Sequence, residues 1–182
     1  ITRMRDRQRQ LAAQLQASAD RDPLTGLYNR RWLLRHLPQV LELAQRHHRP
    51  CCACMLDIDH FKLINDQYGH LVGDSALQWV AEQISRHLRK TDSLVRVGGE
   101  EFLLLLPETP LHGAHELAER ICQHLAAHPF APVYDSPLSV TVSIGVAQLH
   151  RGDSIDSLIN NADNAMYLAK QQGRSRVVLA GL

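Results

Sequence analysis

The sequence lacks several features that would indicate whole classes of protein. It has no apolar run of membrane-spanning length and no secretory signal. Its net charge is only +1 over 182 residues, so the composition gives no reason to expect binding to nucleic acid or to a membrane surface. No internal repeat or low-complexity tract occurs. These absences favour one globular domain with a short appendage, and 45% apolar residues suffice for its core.

Cysteine is scarce, and its spacing does not suggest a disulfide framework or a metal site. Cys51, Cys52 and Cys54 fall in one strand-like apolar run, where neighbouring side chains diverge. We expect them and Cys122 to pack as small hydrophobic residues in a reducing cytoplasm. Because the chain begins with Ile1, we also expect it to be part of a longer protein. A parent anchored in the inner membrane is compatible with this expectation.

Residues 1–19 are polar, helix-prone and free of glycine and proline. One heptad seam contains Ile1, Met4, Gln8, Leu11, Leu15 and Ser18. The pattern predicts a coiled-coil stalk that connects an upstream domain to the domain at residues 20–182. A linker helix without a partner is the alternative, because the seam is short and includes polar residues.

Hydrophobic periodicity after residue 20 predicts alternating helices and strands. The predicted helices span residues 30–48, 61–68, 75–89, 111–127 and 154–170, and Asn29 is a plausible N-cap for the first of them. We expect Pro38 to kink or split that helix, and residues 69–74 to form a loop. The predicted strands span residues 51–58, 138–147 and 176–179, with a hairpin over residues 94–106. This order predicts an α+β fold with a mixed, five-stranded sheet covered by helices.

The hairpin combines a tight turn with two acidic residues. Gly98 and Gly99 separate two β-prone runs, which predicts a tight hairpin turn, because both glycines can take a positive φ without steric cost. Glu100 and Glu101 open the second strand, and their side chains must point to opposite faces. Glycines beside a glutamate leave room for a ligand to approach the backbone. The alternative is a solvated turn with two surface glutamates.

Two carboxylates should meet at one end of the sheet. If the first strand pairs with the hairpin, Asp57 and Glu100 lie close together. With the carbonyl of Ile58 between them, they suit a hard cation such as Mg²⁺, which completes its shell with water and phosphate. The sequence therefore favours a nucleotide phosphate site at this end.

Phosphate-binding and base-reading groups are available nearby. Lys62 follows the first strand closely, and Lys170 and Arg174 can share a helix face. Asn65 and Asp74 offer the donors and acceptors that the edge of a guanine requires. Each residue alone is commonly a solvated surface residue, and Asp74 alone is a candidate helix N-cap. The prediction therefore depends on the whole set.

Six motifs resemble those of the GGDEF family of diguanylate cyclases and follow its order over about residues 20–178. They are Asp22–Arg31 (DPLTGLYNRR), Asp57–Asp66 (DIDHFKLIND), Gly69–Asp74 (GHLVGD), Arg96–Phe102 (RVGGEEF), Val140–Gly145 (VTVSIG) and Ala162–Lys170 (ADNAMYLAK) with Gly173 and Arg174. The resemblance implies a palm-like sheet, as in class III nucleotidyl cyclases, and the condensation of two GTP into cyclic di-GMP and two pyrophosphates. Glu100 stands where the signature has Asp or Glu, and the family uses both.

The resemblance also implies roles for individual residues. Mg²⁺, or Mn²⁺ in its place, would be held by Asp57, the carbonyl of Ile58 and Glu100, and Glu100 would help deprotonate the ribose 3′-hydroxyl. The nucleotide would contact Phe61, Lys62, Asn65, His70, Asp74, Lys170 and Arg174. Two protomers would face each other in a homodimer under the control of an upstream sensory domain, with no nucleic acid involved.

A second site is implied by Arg89-Lys90-Thr91-Asp92, which resembles the family's inhibitory RxxD motif for cyclic di-GMP. Arg89 would bind phosphate and base edges, and Asp92 would accept a guanine N–H. Arg120 would complete the site from the same or a neighbouring protomer. The alternative is a polar helix C-terminus in which Arg89 and Lys90 interact with the helix dipole.

Two other functions remain compatible with the sequence. One is a catalytically inactive receptor for GTP or cyclic di-GMP with the same fold, although the intact set of site residues argues against it. The other is a palm-type cyclase that makes a mononucleotide. Incubation with Mg²⁺ and GTP distinguishes all three by the product formed.

Overall fold

The computed structural model describes residues 2–131 and 136–181 of the protein. Ile1 of the predicted heptad seam lies outside the described residues. The helices are α1 (Thr2–Ala19), α2 (Arg30–Arg46), α3 (Phe61–Tyr68), α4 (His70–Ser85), α5 (Leu111–Ala127) and α6 (Ile155–Gln171). The strands are β1 (Tyr28–Asn29), β2 (Cys51–Ile58), β3 (Ser93–Arg96), β4 (Glu101–Pro107), β5 (Val142–Gln148) and β6 (Val177–Leu179).

Within the described residues, the strands form one mixed sheet in the order β1-β3-β4-β2-β5-β6. The four central strands pair in antiparallel fashion, whereas β1 and β6 are parallel to their neighbours at the two edges. The α+β prediction is confirmed, but the sheet has six strands instead of five. The additional strand is Tyr28–Asn29, which is too short to show a hydrophobic period and lies in a stretch with turn chemistry.

Helices cover both faces of the sheet. On one face, α3, α4 and α5 pack against alternate residues of β2, β4 and β5 in the larger apolar cluster. On the other face, α2 and α6 pack against the intervening residues of the same strands. Every residue of β2 is therefore buried, which explains why its first six residues, 51–56, are a continuous apolar run without alternation.

Several local predictions are confirmed and several are wrong. The Asn29 side chain accepts a hydrogen bond from Trp32 N at 3.0 Å and caps α2, as expected. Pro38 does not split α2, which is assigned as one helix over residues 30–46. Residues 69–74 are not a loop, because α4 begins at His70 directly after Gly69 with φ of 87°. The helix also ends earlier than expected, at Ser85.

The cysteines are buried and none is in a disulfide within the described ranges, as predicted. Burial raises the pKa of the Cys51 thiol to about 11, so the reactive thiolate is scarce at neutral pH. These side chains therefore contribute packing.

The N-terminal helix α1 extends from the domain without burying any of its described residues. Met4, Leu11 and Leu15 are more than half exposed. At its C-terminal end, Asp20 is buried and forms an ion pair with Arg35 of α2. Among residues 2–131 and 136–181, no helix combines the length and hydropathy needed to cross a membrane.

Candidate functional site

A cavity of about 160 Å³ opens where β2 ends and where the β3–β4 hairpin, α3 and the end of α6 converge. Its lining residues are Asp57, Ile58, Asp59, His60, Phe61, Lys62, Glu100, Lys170 and Arg174. Seven of these were assigned to a nucleotide or metal site from the sequence, and the fold brings them into one pocket from three separate segments.

The pairing of β2 with β4 brings the acidic residues together. Asp57 lies opposite Glu101 in the ladder, and Ile58 N donates a hydrogen bond to the Glu100 carbonyl at 3.2 Å. Residues directly opposite each other in an antiparallel pair project to the same face. The carboxylates of Asp57 and Glu101 therefore share a face, while Glu100 approaches the cavity from the turn.

The turn between β3 and β4 differs from the prediction. Neither Gly98 nor Gly99 has a positive φ, so the expected two-residue turn is wrong. The ladder pairs Arg96 with Phe102, and Val97 N donates to the Glu101 carbonyl at 3.0 Å, which leaves a wider loop. A Cβ at Gly98 would lie 3.2 Å from a carboxylate oxygen of Glu101, so glycine here allows a close approach of that side chain.

Arg96 holds this loop against the start of the domain. Its Nη1 lies 3.2 Å from both carboxylate oxygens of Asp22, and its Nη2 donates to the Gly99 carbonyl at 2.8 Å. Burial alone would raise the pKa of Asp22, but hydrogen bonds from Thr25 and the charge of Arg96 outweigh burial and lower that pKa. Asp22 and Arg96 were visible as motif residues, but their contact was not predicted from the sequence.

Asp57 is buried at the pocket, next to a lysine and two glutamates. Its side chain is 5% exposed, and burial raises its pKa to about 6. The Lys170 ammonium lies 2.8 Å from its Oδ2 and opposes this rise, whereas the negative charges of Glu100 and Glu101 add to it. A buried carboxylate among other acids is a site that attracts a cation.

Asp59 was not assigned a role from the sequence, and its contacts are structural. Its oxygens accept hydrogen bonds from Thr141 Oγ1 at 2.7 Å, Ser143 Oγ at 2.6 Å and Ser175 N at 3.0 Å. It therefore connects the end of β2 to β5 and to the loop that follows α6. That loop carries Arg174, which has a φ of 64°.

The N-terminus of α3 faces the same cavity. His60 precedes the helix with a φ of 55° and makes no side-chain capping bond. The first N–H groups of α3 are thus left without a side-chain cap, and such groups favour phosphate oxygens. Phe61 and Lys62 form the first turn, and Lys62 is exposed.

The predicted guanine-reading residues lie beside this cavity and do not line it. Asn65 on α3 packs against Gly73 of α4, where a Cβ would come within 1.8 Å of the amide oxygen. Only a glycine allows Asn65 this position. His70 and Asp74 are exposed on the first turns of α4, and Asp74 is inside the helix, so the N-cap alternative is wrong.

The residues of the predicted inhibitory site line a separate cavity of about 270 Å³. Arg89, Asp92 and Arg120 meet there with Thr109, His87 and His112. This cavity lies beyond the Pro107 end of β4, about 20 Å of strand away from Glu101.

Arg89 is held firmly at this second cavity. Its Nη2 donates to Thr109 Oγ1 at 2.5 Å and to Asp92 Oδ1 at 3.2 Å. Asp92 Oδ2 also accepts from the Arg89 backbone N–H at 2.9 Å, and the Asp92 side chain is only 1% exposed. Asp92 is therefore engaged with Arg89 here and does not offer a free carboxylate to a guanine. Because α4 ends at Ser85, Arg89 lies beyond the helix terminus.

Comparisons with known proteins agree on one family. The family described as "Diguanylate cyclase, GGDEF domain" matches residues 19–176. The chain is 43% identical over 161 residues to diguanylate cyclase DgcP of Pseudomonas aeruginosa, a match that covers 87% of this chain and 24% of that protein. It is 41% identical over 159 residues to response regulator PleD of Caulobacter vibrioides, covering 86% and 35%. The chain thus spans about a quarter to a third of the length of these curated relatives.

Solved structures give the same result. The coiled coil and GGDEF domain of DgcB from Caulobacter crescentus, solved in complex with c-di-GMP, matches with a TM-score of 0.91 and 31% identity, covering 98% of this chain and 95% of that one. The active GGEEF domain of a diguanylate cyclase from Vibrio cholerae matches with a TM-score of 0.81 and 37% identity, covering 86% and 99%.

Proposed function

Because the chain belongs to the diguanylate cyclase GGDEF-domain family, we propose that it condenses two GTP molecules into cyclic di-GMP and two pyrophosphates. The observation that carries the proposal is the single pocket that joins Asp57 and Glu100 to Lys62, Lys170 and Arg174. Carboxylates beside several cations are the arrangement that a metal-bound triphosphate requires. As a consumer of GTP, the domain would work in the cytoplasm.

The donor set of the pocket fits a hard divalent cation, Mg²⁺ or Mn²⁺ in its place. Asp57, the carbonyl of Ile58 and Glu100 are all oxygen donors. Within the described residues, no three His, Cys, Asp or Glu side chains are arranged to hold a metal ion by themselves. Water and nucleotide phosphates would therefore have to complete the coordination. When bound, the cation would neutralise phosphate charge and lower the pKa of the attacking hydroxyl.

The residues of the chain would bind and orient the nucleotide. The N-terminus of α3, with Phe61 and Lys62, would contact the distal phosphates together with Lys170 and Arg174. Asn65 and Asp74 would read the guanine edge, and His70 would line the nucleotide site. These contacts fix the geometry for in-line attack, which is the main catalytic requirement in phosphoryl transfer.

Glu100 would accept the proton of the ribose 3′-hydroxyl. The 3′-oxygen of each GTP would attack the α-phosphorus of the other, and each broken α–β bond would release pyrophosphate. The described residues of one protomer provide one nucleotide pocket of this kind, and the product has two-fold symmetry. Two protomers facing each other in a C₂ homodimer would therefore form the active enzyme.

Two regulatory features belong to the proposal. Arg89 and Arg120 would bind cyclic di-GMP at a feedback site in which Asp92 orients Arg89, a role supported by their common cavity. Residues 1–19 would form a coiled-coil stalk through which an upstream sensory domain controls the pairing of residues 20–182. The exposed Met4, Leu11 and Leu15 of α1 support an apolar seam for a second copy.

A product assay tests this function. The protein is incubated with Mg²⁺ and GTP at several protein concentrations, and the products are separated by chromatography. We expect cyclic di-GMP, with a specific activity that rises with concentration because two protomers are needed. Nucleotide binding without product would favour the receptor alternative, and a product with one phosphate per ring would favour a mononucleotide cyclase.

A further inference from the structure

Asp57 forms an ion pair with Lys170, a residue of the same chain. Lys170 Nζ lies 2.8 Å from Asp57 Oδ2, and the two side chains are 28% and 5% exposed. Asp57 is the penultimate residue of β2, whereas Lys170 lies in the last turn of α6, so the pair spans the cavity. Within the described residues, neither Lys62 nor Arg174 forms an ion pair, although both line the same cavity.

An ammonium at this distance competes with a metal ion for the same carboxylate. Like charges a few ångströms apart repel each other strongly in a partly buried site, where water screens them less than in bulk solvent. A divalent cation bound to Asp57 would therefore displace Lys170, or Lys170 would exclude the cation. Without either of them, the buried carboxylate would remain uncompensated beside Glu100 and Glu101.

Lys170 is able to leave Asp57 without a change in the backbone. Its ammonium is carried on four flexible methylene groups, so it can reorient towards another anion in the cavity. The chain around it is held in place, because Asp59 binds Ser175 N in the loop directly after α6. Movement would therefore be confined to the lysine side chain.

We propose that Lys170 is the internal counter-ion of Asp57 in the nucleotide-free domain. It excludes a divalent cation from Asp57 until nucleotide phosphates offer the ammonium a second anionic partner. Metal and nucleotide would then enter together, and metal alone would bind weakly. This inference rests on the proposed function, but it concerns binding and can be tested without turnover.

The test is Mn²⁺ binding to the nucleotide-free protein, followed by electron paramagnetic resonance. We expect Lys170→Met to bind Mn²⁺ about tenfold more tightly than the unmodified protein, a change of about 1.4 kcal/mol. Lys62→Met is the matched control, because it removes one positive charge from the same cavity without touching Asp57. We expect it to change Mn²⁺ affinity by less than about twofold.

The same two variants are then compared with a GTP analogue that cannot react. Both should bind the Mn²⁺-loaded analogue several-fold more weakly, because each loses a phosphate contact. As a second readout, saturating Mn²⁺ without nucleotide should raise the melting temperature of Lys170→Met by several degrees and that of the unmodified protein by much less. Lys170→Gln repeats both measurements if the Met variant folds poorly.

Two results would overturn the inference. One is an unchanged or weaker Mn²⁺ affinity in Lys170→Met, and the other is an equal gain in Lys62→Met, which would indicate a general charge effect. A lack of cyclic di-GMP synthesis combined with the expected Mn²⁺ result would reject the proposed reaction and leave the counter-ion role standing. If no variant bound Mn²⁺ with or without the analogue, both would be rejected.

Discussion

Near each end of β4, a buried carboxylate forms an ion pair with a long cationic side chain, but the two pairs differ in their contacts. At the Glu101 end, Asp57 and Lys170 come from distant parts of the chain and share one contact of 2.8 Å. At the Pro107 end, Asp92 and Arg89 are three residues apart and share several hydrogen bonds, and Arg89 also binds Thr109. The first pair can exchange partners, whereas the second holds an arginine in one orientation.

This difference matches the two kinds of binding that we propose. A reaction site must release and rebind charged groups in every cycle, which a single flexible lysine contact allows. An inhibitory site gains affinity when its arginine is oriented before the ligand arrives, because less freedom is lost on binding. The Arg89 side chain is 58% exposed and thus remains accessible despite its contacts.

The largest effect on activity should come from a substitution at the Glu101 end of β4, where we propose the reaction takes place. We expect Glu100→Ala to lower turnover by at least about 1,000-fold, because it would remove both the proposed metal donor and the proposed proton acceptor. The residue lies at a turn and contributes little packing, so the melting temperature should change little. The measurement is the initial rate of cyclic di-GMP formation.

The control for this variant is Glu82→Ala, which removes an exposed glutamate that pairs with Arg86 on α4. It should retain the normal rate. Near-normal synthesis by Glu100→Ala would contradict the assignment of the metal site.

Replacing Asp57 or Asp92 by asparagine should change the free energy of unfolding in opposite directions in metal-free buffer. Burial raises the folded-state pKa of Asp57 from 3.8 to about 6. Its protonation therefore stabilises the fold most below about pH 4, and this stabilisation is lost as the pH rises through 6. At pH 8, Asp57→Asn should increase the free energy of unfolding by about 2 kcal/mol, and this gain should shrink towards pH 5.

Asp92→Asn is the matched comparison at the other end of β4. An amide cannot accept all of the hydrogen bonds that Arg89 donates to this carboxylate, so we expect a loss of about 1–2 kcal/mol at pH 8. Urea unfolding of both variants with EDTA measures the two changes. If Asp57→Asn and Asp92→Asn changed the free energy of unfolding in the same direction, the distinction between the Asp57–Lys170 and Asp92–Arg89 pairs would be wrong.

Product inhibition should depend on Arg89. We expect Arg89→Ala to raise the cyclic di-GMP concentration needed for half-inhibition by about tenfold, because an arginine contact to a phosphodiester is lost. Arg86→Ala is the control, since this exposed arginine lies outside the cavity and pairs with Glu82. An unchanged inhibition curve for Arg89→Ala would remove this site from the proposal.

A substitution at Thr109 should weaken product inhibition less, because Thr109 acts through its hydrogen bond with Arg89. Thr109→Val keeps the shape of the side chain but removes the hydroxyl that accepts from Arg89. We expect half-inhibition at about threefold higher cyclic di-GMP, as expected for the loss of one hydrogen bond. Thr91→Val, at an exposed neighbour of Asp92, should leave the curve unchanged. A tenfold effect at Thr109 would mean that the hydroxyl contacts the ligand directly.

The sequence alone predicted the existence of the helices and central strands, although not the start of α4, and seven of the nine residues that line the pocket. Periodic burial and capping are local properties, so the apolar face of α5 and the cap at Asn29 could be read from neighbouring residues. The motifs then indicated a nucleotide site, and the structure places six of their charged residues around one cavity: Asp57, Asp59, Lys62, Glu100, Lys170 and Arg174.

Only the tertiary structure decided the contacts between distant segments. The pairing of Lys170 with Asp57, the bridge from Arg96 to Asp22 and Gly99, and the edge strand at Tyr28 have no local signature. Such partners are selected by how helices and strands pack, which depends on the whole chain. The wider turn at Gly98 has the same origin, because the register of β3 on β4 sets the length of the loop.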